Sequence, residues 1–156
     1  MRASDWREAA RIYAEGIKTG VATLESEVPP YEKWDAAHLK VCRVVAELDG
    51  SLAGWAVLSP VSSRCVYAGV AEVSVYVSES NRGQKVGTAL LNALVDESER
   101  QGIWTLQSSI LEENKASRAL HLRCGFRVVG VRERLGHDAS GVWRNIILME
   151  RRSRKP

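Results

Sequence analysis

The stretch "VYVSESNRGQKVGTALL", Val75 to Leu91, narrows most sharply what this chain can become. It opens with the alternation of a strand, passes through a Gly-containing turn, and closes with apolar residues at helical spacing. A strand feeding such a turn and then a helix presents backbone N–H groups at the positive end of the helix dipole, which suits phosphate oxygens. On these residues alone, "RGQKVG" either fits a pyrophosphate or contains only a turn glycine, Gly83, and a helix-packing glycine, Gly87.

The surrounding pattern supplies a scaffold for that turn. "SDWREAARIYAEGI" puts Trp6, Ala9, Ala10, Tyr13 and Ile17 on one helical face, with Ser4 or Asp5 as N-cap and Glu8 near the capping-box position. A loop over residues 18–30 leads through Pro30 into a short helix, "YEKWDAAHL". Two β-rich runs meet at Asp49-Gly50, a dipeptide suited to the positive φ angles of a tight hairpin. "AEVSVYV" sets Val73, Val75 and Val77 against Glu72, Ser74 and Tyr76, a strand with two distinct faces. The helix after the turn ends near Gly102, "WTLQSSIL" follows as a strand, and "NKASRALHLRCGF" is a helix closed by Gly125. "FRVVGVRER" and "VWRNIILMER" form a last strand pair, while His137 falls in a polar connection. The order α, α, β, β, β, α, β, α, β, β predicts an α/β (α+β) fold with a mixed central sheet and flanking helices, and the strands around the turn at its centre.

Length and composition restrict the setting. At 156 residues the chain suits one domain, 1–156, that ends in a basic tail at 151–156, read as solvated. No apolar run approaches the roughly 20 residues needed to span a bilayer, so no membrane partner is expected. Cys42, Cys65 and Cys124 lack metal-type spacing, which predicts free thiols in a reducing, cytoplasmic setting and no metal. Net charge is +3, concentrated in the tail and without a basic stripe interleaved with aromatics, which argues against nucleic-acid binding.

Taken together, "AEVSVYVSESNRGQKVGTALL" and "NKASRALHLRCGF" resemble the acyl-CoA-binding motifs of the GNAT superfamily of N-acetyltransferases. Arg64, Tyr67 and Glu72 in "RCVYAGVAEVSVYV", His121, and the ending "GVWRNIILMER" narrow the resemblance to phosphinothricin and methionine sulfoximine acetyltransferases. It implies a GNAT fold with a splayed strand pair and acetyl-CoA as co-substrate. Val75, Tyr76 and Val77 would then meet the pantetheine through main-chain groups, and Gly83, Gln84, Lys85, Val86, Gly87 and Thr88 would cradle the pyrophosphate. Asn114 would hydrogen-bond the pantetheine arm with Ser117 close by, or serve simply as a helix cap. Two departures stand out: Lys85 occupies a position that is glycine in the family, and the strand that precedes the family's first helix is short or missing here.

Acetyl transfer to an amine needs a neutral nucleophile, so a base must take the ammonium proton. Glu72 is the candidate, acting directly or through one water; its other reading is a strand-start carboxylate paired with an arginine. His121 matches the position from which the departing sulfur would be protonated, and is otherwise a packed helix histidine. A main-chain N–H of Val75 or Tyr76 would polarise the thioester oxygen. Arg64 and Tyr67 match positions that line the acceptor site, where a guanidinium holds an amino-acid carboxylate; a surface arginine and a core tyrosine are the alternatives. On the same resemblance the loop "TGVATLESEVPP" would form another wall, with Leu24 where the family commonly has an aromatic residue, and Trp143, otherwise a structural residue at the start of the last strand, would reach an acceptor pocket or a dimer seam. Cys124, one helical turn from His121, is disfavoured as an acetyl carrier. The expected activity is direct transfer to a small amino-acid analogue by a homodimer. A peptide or polyamine acetyltransferase and a noncatalytic acyl-CoA-binding module are the alternatives.

Overall fold

Asp49 and Gly50 take positive φ angles of 52° and 77°, and they join β1 (Val44–Leu48) to β2 (Ser51–Pro60) as an antiparallel hairpin. In the computed structural model, which describes residues 1–155, this hairpin forms one end of a six-stranded sheet. The other strands are β3 (Val70–Val77), β4 (Thr105–Leu111), β5 (Arg127–His137) and β6 (Trp143–Arg152), in the spatial order β1-β2-β3-β4-β6-β5. Helices α1 (Trp6–Lys18), α2 (Tyr31–Ala37), α3 (Val86–Arg100) and α4 (Lys115–Arg123) complete the expected order. A 3-10 turn at Ala3–Asp5, not a strand, leads into α1.

The two faces of the sheet bury different chemistry. On one face, Leu90, Leu91 and Leu94 of α3 pack against Ala56, Leu58, Val73, Leu106 and Met149. On the other, Ala9 and Ile12 of α1 and Trp34 of α2 pack against Leu52, Trp55 and Val57. Trp55 ties this second layer together, since its Nε1–H donates to the Ala9 carbonyl at 3.0 Å and its ring stacks on Tyr76 with centroids 4.8 Å apart. Leu52 and Trp55 share a face although three residues apart. Ala46 pairs with Gly54 and Glu47 with Leu52, so Ala53 is an extra residue, a bulge that reverses the alternation.

Several local expectations change. Asp5 is the residue before α1, but neither it nor Ser4 makes a side-chain cap; Asp5 accepts from the Arg2 N–H, and Glu8 accepts from Leu52 N–H across 44 residues. The buried line of α1 is Ala9, Ile12 and Gly16, and Tyr76 packs so closely on Gly16 that a Cβ there would come within 2.7 Å of its ring. His137 ends β5 opposite Trp143 and is not a loop residue. The basic tail is not simply solvated: Arg151 and Arg152 belong to β6, and Arg151 and Lys155 both pair with Glu99 of α3. Pro156 lies outside the described residues.

The feature that positions the site is a failure of pairing. β3 and β4 run parallel and share only the rungs Val70↔Thr105, Ala71↔Leu106 and Glu72↔Gln107. Beyond Glu72 each strand keeps its outer partner, β3 with β2 to Val77 and β4 with β6 to Leu111, and the two diverge.

Candidate active site

A cleft of about 1330 Å³ opens where β3 and β4 part. Its walls are Glu72 to Val77 of β3, Ser108 to Leu111 of β4, the first turn of α3, the inner side of α4, and residues Thr19 to Leu24 of the α1–α2 loop. Ser78 N–H bonds the Ala53 carbonyl on the β2 side. Main-chain groups alternate sides along a strand. Tyr76 and Ser74 therefore turn theirs to β2, while Val73, Val75 and Val77 turn theirs toward the missing β4 ladder. Of the two main-chain donors considered from sequence, Val75 faces the opening and Tyr76 does not; the Tyr76 ring instead packs between Tyr13 and Trp55.

The glycine turn closes one end. Gly83 has φ 76° and open space for 4 Å around the point where a Cβ would stand, so it serves the turn, whereas Gly87 packs against Leu120 of α4. Lys85 stands immediately before α3 in the left-handed region, φ 64° and ψ 13°, a conformation that favours glycine. Arg82, Gly83, Lys85, Val86, Gly87 and Thr88 line the cleft, and Lys85 has no salt-bridge partner among the described residues. Gln84 does not line it, because its side-chain amide turns back to the Ser80 carbonyl at 3.2 Å.

Asn114 is a helix cap that also borders the cleft. Its Oδ1 accepts from Ser117 N–H at 3.1 Å and caps α4, and the residue also borders the cleft, where its remaining amide N–H groups are what it can offer. One turn beyond Ser117, His121 is 1% exposed and lies edge-on to Phe126. Its Nδ1 sits 2.8 Å from the Ser117 carbonyl. A carbonyl only accepts, so Nδ1 carries the proton and Nε2 a lone pair. Nε2 is buried without a partner. Burial holds the His121 pKa below the ordinary histidine range, opposed by the Ser117 carbonyl, so the ring is neutral at pH 7. The expectation that His121 protonates the leaving sulfur changes accordingly: Nε2 has to accept a proton before it can give one.

Glu72 lies at the last paired rung, and its Oε2 accepts from Gln107 Nε2 at 2.7 Å. Among the described residues no arginine pairs with it. Tyr13 and Tyr76 line the same cleft; burial pushes both phenols up, so both keep their O–H protons at neutral pH. Leu24 reaches from the α1–α2 loop to Gly136 of β5, where a Cβ would come within 2.6 Å of its Cδ1. With Leu135 and Ile146 it makes this wall apolar.

Arg64 and Tyr67 are not brought into the cleft. They sit on an exposed 3-10 turn, with the guanidinium 5.5 Å from the tyrosine ring centroid. Cys124 is buried and outside the cleft walls, and burial pushes its thiol up, which disfavours the thiolate that acetyl carriage needs. Gln107 and Tyr13 were not legible as site residues, because the strand register and helix docking that bring them there join distant parts of the chain.

The profile of the acetyltransferase (GNAT) family matches residues 5–126. The chain belongs to this family. Within the GNAT acetyltransferases it is 36% identical to a phosphinothricin N-acetyltransferase of Alcaligenes faecalis, over 97% of this chain and 79% of that one. It is 34% identical to an L-methionine sulfoximine/L-methionine sulfone acetyltransferase of Pseudomonas aeruginosa over 54% of this chain and 48% of the relative. Among solved structures, a GNAT superfamily phosphinothricin acetyltransferase from Sinorhizobium meliloti in complex with AcCoA superposes with a TM-score of 0.87, at 30% identity, over 97% of this chain and 85% of that chain.

As a GNAT acetyltransferase this chain uses acetyl-CoA, and its cleft fits that co-substrate on its own terms. The open main-chain edge of β3 suits the amides of a pantetheine arm, and the glycine turn before α3 suits a pyrophosphate. The orphaned Nε2 of His121 requires a hydrogen-bond partner that the protein does not provide. Among the described residues no cluster of His, Cys, Asp and Glu is arranged to hold a metal, and no helix is long and apolar enough to cross a membrane.

Proposed function

We propose that this acetyltransferase acylates the amino group of a small amino-acid analogue, of the phosphinothricin or methionine sulfoximine class, by direct transfer with both substrates bound. The observation that carries the reading is the coincidence, in one cleft, of a carboxylate at the splay and an unpartnered neutral imidazole. The co-substrate supplies an acetyl thioester. Glu72 takes the first proton from the acceptor ammonium, directly or through a water. The Val75 N–H, turned into the opening, donates to the thioester oxygen as charge develops there. His121 accepts the second amine proton at Nε2 and passes it to the sulfur, returning to its resting tautomer.

Val73 to Val77 hold the pantetheine arm with Asn114 and Ser117, and the turn from Gly83 to Thr88 takes the pyrophosphate. For the acceptor, the apolar wall of Leu24, Leu135 and Ile146 favours a neutral side chain such as a sulfoximine or sulfone over a phosphinate. A homodimer is supported by the apolar residues exposed on and beside the edge strand β5, among them Val128, Val129, Val131 and Trp143. Pairing of two copies through this region would give Arg64 and Tyr67 a route to a site they do not line within one chain. Free Cys42, Cys65 and Cys124 support a cytoplasmic setting.

The experiment is release of CoA thiol from acetyl-CoA against phosphinothricin, methionine sulfoximine, methionine sulfone, free amino acids, polyamines and short peptides, with Glu72→Gln alongside. Selective turnover of the amino-acid analogues, lost in the variant, is expected. Selective turnover of peptides or polyamines would replace the acceptor class, and acetyl-CoA binding without turnover of any acceptor would favour a binding module.

A further inference from the structure

β3 and β4 stop pairing at one rung, and that rung carries Glu72 opposite Gln107. Paired residues point to the same face of a sheet. The two side chains therefore meet on one face of the sheet, where Glu72 lines the cleft and Gln107 Nε2 donates to Glu72 Oε2 at 2.7 Å. The rung continues outward on both sides: Ser59 of β2 pairs with Glu72, and beyond Gln107 come Glu150 of β6 and Arg127 of β5. Arg127 and Glu150 are engaged with each other in a salt bridge, so the donor that reaches Glu72 is the neutral amide and not the cation.

An ionised carboxylate only accepts hydrogen bonds, whereas a protonated one must also place an O–H. A fixed N–H aimed at Oε2 pins the carboxylate plane. With Oε2 occupied, Oε1 is the oxygen left for the reacting side. The amide is placed where this constraint is available: one residue further along, β3 and β4 no longer have paired positions, and a side chain there would have no register partner.

We propose that Gln107 is the positioning residue for Glu72, holding its carboxylate turned so that Oε1 meets the acceptor ammonium or its bridging water. The inference rests on the reading of Glu72 as the base. Around the pair, the charged groups are Glu150 and Arg127 on the same rung, Arg152 two residues further along that face of β6, and Glu25 in the loop beside Tyr13 and Tyr76. Ser59 and Ser74, the nearest positions on β2 and β3, are uncharged.

The test compares wild type, Gln107→Leu, Gln107→Glu, Glu72→Gln and the Glu72→Gln/Gln107→Leu double variant, with an acceptor identified in the panel. In Gln107→Leu, kcat falls by about 10- to 100-fold, while KM for the acceptor and the Kd for acetyl-CoA stay within about twofold. Gln107→Glu, nearly the same size, removes the amide donor and lowers kcat at least as far. In the Glu72→Gln background, Gln107→Leu has no further effect on the residual kcat, because the carboxylate it orients is gone. If kcat is unchanged in both Gln107 variants, or if Gln107→Leu costs the same with and without Glu72, while Glu72→Gln alone sharply lowers kcat, the positioning role is overturned and the base survives. If Glu72→Gln keeps full turnover, the base reading falls and the positioning role falls with it.

Discussion

β3 is bound very differently along its two edges. Against β2 it pairs over seven positions, from Gly54↔Val77 to Pro60↔Ala71, and against β4 over three. The long ladder makes the strand rigid, with Trp55 and Tyr76 stacked across it, and the short one leaves its reactive edge open. β4 is arranged in mirror fashion, with seven pairs to β6. Each central strand is thus held by its outer neighbour, which is what allows the two to part without either becoming mobile. A binding edge is obtained by withholding a ladder that local propensity alone would have permitted.

The contrast can be broken from either side. On the open edge, Glu72→Gln is expected to lower kcat by about 10²- to 10⁴-fold with little change in acetyl-CoA affinity by calorimetry; an equal loss in affinity would make Glu72 part of the binding edge instead. On the paired edge, Trp55→Ala is expected to cost about 3–5 kcal/mol in chemical denaturation, since it empties a site 1% exposed and removes the bond to Ala9.

His121→Phe is expected to lower kcat by about 10- to 100-fold and also to flatten the pH dependence of stability. Because burial lowers the folded pKa of His121, the unfolded chain binds more protons below its ordinary value of about 6.5, and stability falls as pH drops through that region. His38 is lowered in the same way, so the slope shrinks in the variant but persists. Denaturation midpoints at pH 7 and pH 5 make the comparison.

Lys85→Gly should stabilise the fold by about 1 kcal/mol, because a side chain leaves the left-handed region. If the ammonium also reaches the pyrophosphate, acetyl-CoA affinity falls several-fold at low salt; unchanged affinity would mean that the side chain points away from the cleft. The smallest effect lies far from the splay, at Glu99. Lys155 and Arg151 lower its pKa to about 2, so its contribution to stability is complete above the ordinary carboxylate value of about 4.5 and is lost as pH falls toward 2. An acid titration of Glu99→Gln should lack that component.

The order of elements was legible because each carries its own period and its own punctuation. Asp49-Gly50, Gly102 and Gly125 all adopt the positive φ that their turns required, and Val73, Val75 and Val77 face α3 and α4 as their alternation demands. Alternation failed to carry through β2, because the bulge at Ala53 depends on pairing with β1. Within the cleft, the turn before α3, Asn114 and His121 were legible from spacing and resemblance, and they do line it. Arg64 and Tyr67 were placed by resemblance alone, and within one chain they stand outside.

What the sequence determined by itself was the set of elements and the family, since period, caps and motif spacing are local properties of the chain. The tertiary structure decided which of those residues work together. Glu72 meets Gln107 only because β3 and β4 share a last rung, and His121 keeps its Nε2 lone pair free only because the Ser117 carbonyl accepts from Nδ1–H on the inner side of α4. Both results depend on register and burial, which arise when segments far apart in the chain exclude water together, and no local window of residues contains that information.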